Sequence, residues 1–146
     1  SNPIDLSSTI RALTDHRLYI CGPKGMIEAV RHAAAHHSIS SDHIHVELFE
    51  TPALKKSEKT FEVEIKSKGE IFQIPTDKSI LEVLEGGGVD LIYDCQRGDC
   101  GICCVDVLQG IPDHRDVVLS QTEKDSGKVM QICVSRALSD RLILDI

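Results

Sequence analysis

Three cysteines crowd nine residues of this chain. Cys95, Cys100 and Cys103 lie in Tyr93-Asp94-Cys95-Gln96-Arg97-Gly98-Asp99-Cys100-Gly101-Ile102-Cys103, spaced C-x4-C-x2-C. Cys133 follows after twenty-nine residues, in an apolar segment. Thiolates are soft ligands that suit iron–sulfur clusters, zinc or copper(I). Structural zinc usually takes two separate C-x2-C pairs, each on its own knuckle. Here there is one such pair, Cys100 and Cys103, with Cys95 on the same loop and Cys133 alone. A loop carrying three ligands wraps an object larger than one ion, and a two-iron rhomb is such an object. The spacing therefore favours a [2Fe–2S] cluster. A zinc site, or free or disulfide-bonded thiols, are the alternatives.

Gly98 and Gly101 fit the cluster reading. Glycine lets the backbone take positive φ and approach inorganic sulfide, so that loop N–H groups point at sulfur. Cys104 begins the strand after the loop, and adjacent strand residues face opposite ways. It is expected to face away from the metal as a small buried hydrophobe. Arg97 is expected to be a plain solvated side chain, although it could offset the cluster's charge.

Secondary-structure signals divide the chain. Arg17–Cys21 reads as a short buried strand broken by Gly22-Pro23-Lys24-Gly25. Met26–His37 reads as a helix from the spacing of Ile27, Val30, Ala33 and Ala34. Ile44–Phe49 alternates like a second strand. That order is the βαβ unit of a parallel sheet. One such unit is too small to cover its own apolar faces. Residues 1–52 are therefore expected to be the C-terminal fragment of a larger doubly wound domain, and the Ser-Asn start suggests an excised piece or a tag scar. Residues 53–60, lysine-rich after Pro52, read as a linker.

Residues 61–146 form a second pattern. Phe61–Ile65 and Ile71–Ile74 alternate around a turn at Lys68-Gly69, as a hairpin does. A helix is expected after Asp77-Lys78-Ser79, stopped by Gly86-Gly87-Gly88. Strands are expected at 105–108, 129–133 and 141–146, with a long polar connection over 112–128. The whole is an α+β unit.

Charge and composition narrow the partners. Residues 1–60 carry equal numbers of basic and acidic side chains, so the net charge of −7 falls entirely on residues 61–146. A docking partner there is expected to present Lys or Arg. The acidity, and the 3% of aromatic residues, argue against nucleic acid. No apolar run approaches the ~18–20 residues of a membrane span. No secretory signal is visible, and six cysteines in that context favour metal or redox chemistry in the cytoplasm. His32 and His36 have a metal-compatible i, i+4 spacing, but a histidine-rich surface helix explains them sufficiently.

The Tyr-x-Cys entry, Gly98, the cysteine spacing and the late fourth cysteine make residues 61–146 resemble a plant-type ferredoxin domain, which implies a β-grasp fold. Tyr19-Ile20-Cys21-Gly22-Pro23-Lys24-Gly25-Met26 resembles the C-terminal end of the nucleotide domain of ferredoxin-reductase-type flavoenzymes. The two in this order are similar to the phthalate dioxygenase reductase family. That resemblance implies an oxidoreductase that takes hydride from NAD(P)H onto FMN. Single electrons then pass through the cluster to a terminal Rieske-type oxygenase. It implies that Cys95, Cys100, Cys103 and Cys133 ligate iron and that Cys21, Gly22 and Pro23 lie beside the nicotinamide. It also implies that Phe49 packs against the flavin carried by another domain of the parent chain. A stand-alone ferredoxin carrier, with no catalytic step of its own, is the alternative.

Overall fold

The computed structural model describes residues 5–13, 15–48 and 59–146. The chain divides into two compact units, Ser1–Glu50 and Thr51–Ile146.

The first unit is built on a parallel strand pair. Helix α1 (Leu6–Arg11) starts at Asp5, whose carboxylate accepts the N–H of Ser7 at 3.1 Å. Strand β1 (Leu18–Gly22) is followed by α2 (Lys24–His36), a 3₁₀ turn and β2 (Ile44–Leu48). β1 and β2 pair in parallel, in register from Leu18 with Ile44 to Gly22 with Leu48. A crossover through a helix is the economical way to join such strands. Ile10, Val30, Ala34 and Ile39 form the core, with Leu18, Ile20 and Ile44 packed against it.

The strand at 17–21 was expected to be buried, and it is buried on one face only. Leu18 and Ile20 point inward, whereas Tyr19 is 75% exposed and Cys21 is open. A two-stranded sheet with helices on one side leaves its other face uncovered. Tyr19 stacks there on His45 across the ladder, ring centres 4.7 Å apart.

The second unit is a five-stranded mixed sheet with a helix across it. The hairpin of β3 (Phe61–Ile65) and β4 (Glu70–Ile74) turns at Gly69, where φ is +66°. Helix α3 (Ile80–Gly86) has a reciprocal cap between Ser79 and Glu82, a pattern that stops unpaired N–H groups at the helix start. Strands β5 (Cys104–Gln109), β6 (Pro112–Asp113), β7 (Val129–Gln131), β8 (Arg136–Ala137) and β9 (Arg141–Asp145) follow, with α4 (Gln121–Ser126) between β6 and β7. The main sheet runs β4-β3-β9-β5-β7. β9 is parallel to β3 and antiparallel to β5. This is the β-grasp arrangement, an α+β fold. Val63, Ile65, Ile80, Leu84, Leu142 and Leu144 are among its fully covered side chains. Burying each such side chain is worth roughly 1.5–3 kcal/mol.

Three expectations for this unit need correction. Residues 112–128 are not simply a polar connection. They hold β6, then Asp116, Val117 and Leu119 in the interior, then α4. Asp116 is tolerated inside because its carboxylate is bonded. Cys104 does face away from Cys103, but onto an exposed sheet face rather than into a core. Arg97 is not fully solvated: its guanidinium lies 3.4 Å from Asp99, and only 31% of its side chain is exposed.

Arg136 has become a core residue, 1% exposed. It donates to the carbonyls of Lys78 at 2.7 Å and Pro75 at 2.8 Å. Its guanidinium lies over the Phe61 ring, 4.9 Å from the centroid. It thereby ties the turn after Cys133 to the start of α3. No helix among the described residues is long and apolar enough to cross a membrane.

Candidate metal centre

Residues 90–103 contain no helix or strand, so local hydrogen bonds and glycine conformations set the course of this loop. The N–H of Arg97 donates to Cys95 Sγ at 3.3 Å, and the N–H of Ile102 donates to Cys100 Sγ at 3.5 Å. Gly98 and Gly101 have φ of +78° and +83°, the left-handed region that glycine enters without a Cβ penalty. Gly98 also needs the space: a Cβ there would lie 2.6 Å from Val134 Cγ2. Gln96 adopts a positive φ of 52° in the same turn.

The four cysteines differ in access. Cys103 and Cys133 are buried, at 3% and 4% exposure. Cys95 is half-buried and Cys100 is open to solvent. One end of the thiol set therefore lies inside the core and the other lies at the surface.

Their mutual placement is two by two. Cys103 and Cys133 lie side by side: the Cys133 side chain lowers Cys103 to about 7, and Cys103, with burial, raises Cys133. The N–H of Gly98 also bonds the Cys133 sulfur and opposes that rise. Cys95 is raised by burial first and then by a bond to the Asp99 carboxylate, and Cys100 is also within bonding reach of it. Gln131 Oε1 lies 3.4 Å from Cys103 Sγ.

Among the described residues, no three Cys, His, Asp or Glu side chains converge as they would on one metal ion. A binuclear cluster makes a different demand. Its four thiolates are shared between two irons, so two pairs are required rather than one convergent set. Soft donors in two pairs, backbone N–H groups aimed at the sulfurs and glycines at the close approaches all fit such a cluster.

The 2Fe-2S iron-sulfur cluster binding domain family matches residues 63–138, more than half of the chain. The chain belongs to that family. Its domain is thus of the kind that binds a [2Fe–2S] cluster and carries electrons. The 3-chlorobenzoate-3,4-dioxygenase reductase subunit of Comamonas testosteroni is 37% identical over 136 residues, covering 93% of this chain and 42% of that protein. The structure of phthalate dioxygenase reductase superposes with a TM-score of 0.69 at 34% identity, covering 99% of this chain and 44% of that one. An intact type IV self-sufficient cytochrome P450 monooxygenase superposes with a TM-score of 0.71 at 37% identity, covering 99% of this chain and 19% of that one. The chain thus spans less than half the length of these relatives.

In the first unit, Cys21 and Gly22 end β1 and Pro23 is the N-cap of α2. Gly22 is crowded: a Cβ would lie 2.1 Å from Met26 Cε. Phe49 lies outside the described residues. His36 and His37 meet edge to face, and His37 lies 3.1 Å from Ser7 Oγ, an ordinary surface contact. The sequence reading missed the 114–119 segment that packs on the cysteine loop. Val117-Val118-Leu119 beside Ser120-x-x-Glu123, an apolar run leading into a capping box, was the available signal.

Proposed function

We propose that Cys95, Cys100, Cys103 and Cys133 hold the cluster and that the chain is the C-terminal part of an NAD(P)H- and flavin-dependent reductase serving an oxygenase. The observation that carries this reading is the extent of the likeness. Similarity to a dioxygenase reductase subunit runs over 93% of the chain and so includes both units, not the ferredoxin unit alone.

The bound cluster supplies one-electron acceptance and release, and FMN in the parent protein would convert hydride into single electrons. The chain's own residues do the rest. Cys103 and Cys133 anchor one end in the core and exclude water from it. The N–H groups of Arg97, Gly98 and Ile102 place positive dipoles at the sulfurs, where negative charge accumulates on reduction. Cys100 brings the other end to the surface, where an acceptor can approach. Cys21, Gly22 and Pro23 lie at the carboxyl end of β1, where open α/β sheets bind ligands, and are assigned to the nicotinamide. Phe49, next in sequence after β2, is assigned to the flavin. The proposed acceptor is a Rieske-type oxygenase docking on the acidic second unit. The proposed compartment is the cytoplasm, consistent with six free cysteines.

The test is made on the full native chain, by flavin content and NADH-dependent reduction of cytochrome c. Bound FMN and cytochrome c reduction are expected. A native chain that lacks flavin yet accepts electrons from a separate reductase would replace this reading with the stand-alone carrier.

A further inference from the structure

The loop between Cys95 and Cys100 is also held from outside. Gly98 is pinned from two sides. Its N–H bonds the Cys133 sulfur, and its carbonyl accepts the N–H of Val117 at 2.9 Å. A Cβ on Gly98 would stand 3.1 Å from Asp116 Cα. Val118 touches the same loop: its Cγ2 is 3.4 Å from the Cβ position of Gly101. The Arg115 N–H donates to Ser135 Oγ at 3.3 Å, two residues beyond Cys133. Residues 115–118 therefore form a strap that touches both the three-cysteine loop and the Cys133 turn.

The strap depends on one buried carboxylate. Asp116 has a side chain 0% exposed. Its Oδ2 accepts the Leu119 N–H at 2.8 Å and lies 3.5 Å from Lys124 Nζ. Lys124, from α4, also donates to the Asp116 carbonyl at 2.7 Å. The other carboxylate oxygen has no hydrogen bond and faces His114 Nδ1 at 3.8 Å. A buried carboxylate whose cation is removed becomes strongly destabilising. Nothing in the ligation reading assigns a role to either residue.

We propose that Asp116 and Lys124 are positioning residues for the cluster: their ion pair holds the strap on Gly98, which fixes the Gly98 peptide against the Cys133 sulfur and shields the site. This rests on the four-cysteine reading above. Outer partners of metal ligands typically change metal retention by about 10–100-fold, and an effect of about tenfold is expected here.

The experiment compares wild-type protein with Asp116→Ala, Lys124→Met, Lys124→Arg and the surface control Asp125→Asn, all loaded with cluster. Iron release to bathophenanthroline and the visible circular dichroism of the cluster are followed. Lys124→Met and Asp116→Ala should release iron about tenfold faster and shift the visible dichroism bands. Lys124→Arg should restore wild-type behaviour, and Asp125→Asn should have no effect. If Asp116→Ala does not fold, Lys124→Met decides, since its side chain is at the partly exposed edge of the pair. Folded Lys124→Met with wild-type iron release and unchanged dichroism overturns the proposal. Wild-type protein that takes up no cluster overturns the ligand reading instead, which separates the two failures.

Discussion

Cys103 lies against Cys133, although the two residues lie on different segments and are far apart in the chain. The contact joins the end of the cysteine loop to the turn after β7, with both sulfurs in the core. It makes the buried half of the centre a preformed pair. Cluster assembly then needs that pair deprotonated, because thiolates rather than thiols bind iron.

In cluster-free protein, Cys103 titrates near 7 because the Cys133 thiol stabilises its thiolate. Below that pH it is protonated, so iron uptake should improve as pH rises through about 7. Cys133→Ala removes that thiol, and the step should move up towards the ordinary thiol value of about 8.5. Ultraviolet thiolate absorbance measures it. A step that stays near 7 in Cys133→Ala would show that another group ionises Cys103.

Adjacent cysteines should behave oppositely. Cys104 sits on the exposed sheet face, opposite to Cys103. Cys104→Ser should keep the red-brown visible absorption, and Cys100→Ser should lose or alter it. Equal bleaching in both variants would contradict the assignment.

Gly98 tolerates no side chain. Gly98→Ala must place a methyl group 2.6 Å from Val134 Cγ2 at a φ of +78°. Backbone strain of this kind costs roughly 1–3 kcal/mol before the clash is relieved. Thermal melting should fall and cluster retention should drop with it. An alanine variant with wild-type melting and a stable cluster would show that the loop is looser than described.

Arg136 should prove structural rather than electrostatic. Arg136→Met leaves the carbonyls of Lys78 and Pro75 without their donor. A buried polar group without its partner costs about 1–3 kcal/mol. Urea unfolding should therefore show a loss of roughly 2–5 kcal/mol, allowing for partial hydration of the carbonyls. An unchanged midpoint would mean that the pocket refills without cost.

The cysteine motif was legible from sequence because three of the four proposed donors share one short loop, so their spacing is local information. The hairpin of β3 and β4 was legible for a similar reason: Phe61, Val63 and Ile65 alternate visibly and all turn inward. The strap was not. The burial of Asp116 depends on Lys124 and on the space above Gly98, partners that spacing does not reveal. Arg136 reads as a surface residue by type, and only the ring of carbonyls and Phe61 around it makes an interior position tolerable. Tyr19 and Cys21 read as core by pattern, but two strands with helices on one side cannot cover both faces. Local codes were readable, and long-range compensation was not.

The most direct measurement is iron, acid-labile sulfide and zinc per chain in the purified protein, with the visible spectrum recorded on the same sample. The account predicts two irons and two sulfides per chain with cluster absorption, all lost together in Cys133→Ala. One zinc per chain with no visible bands would contradict it.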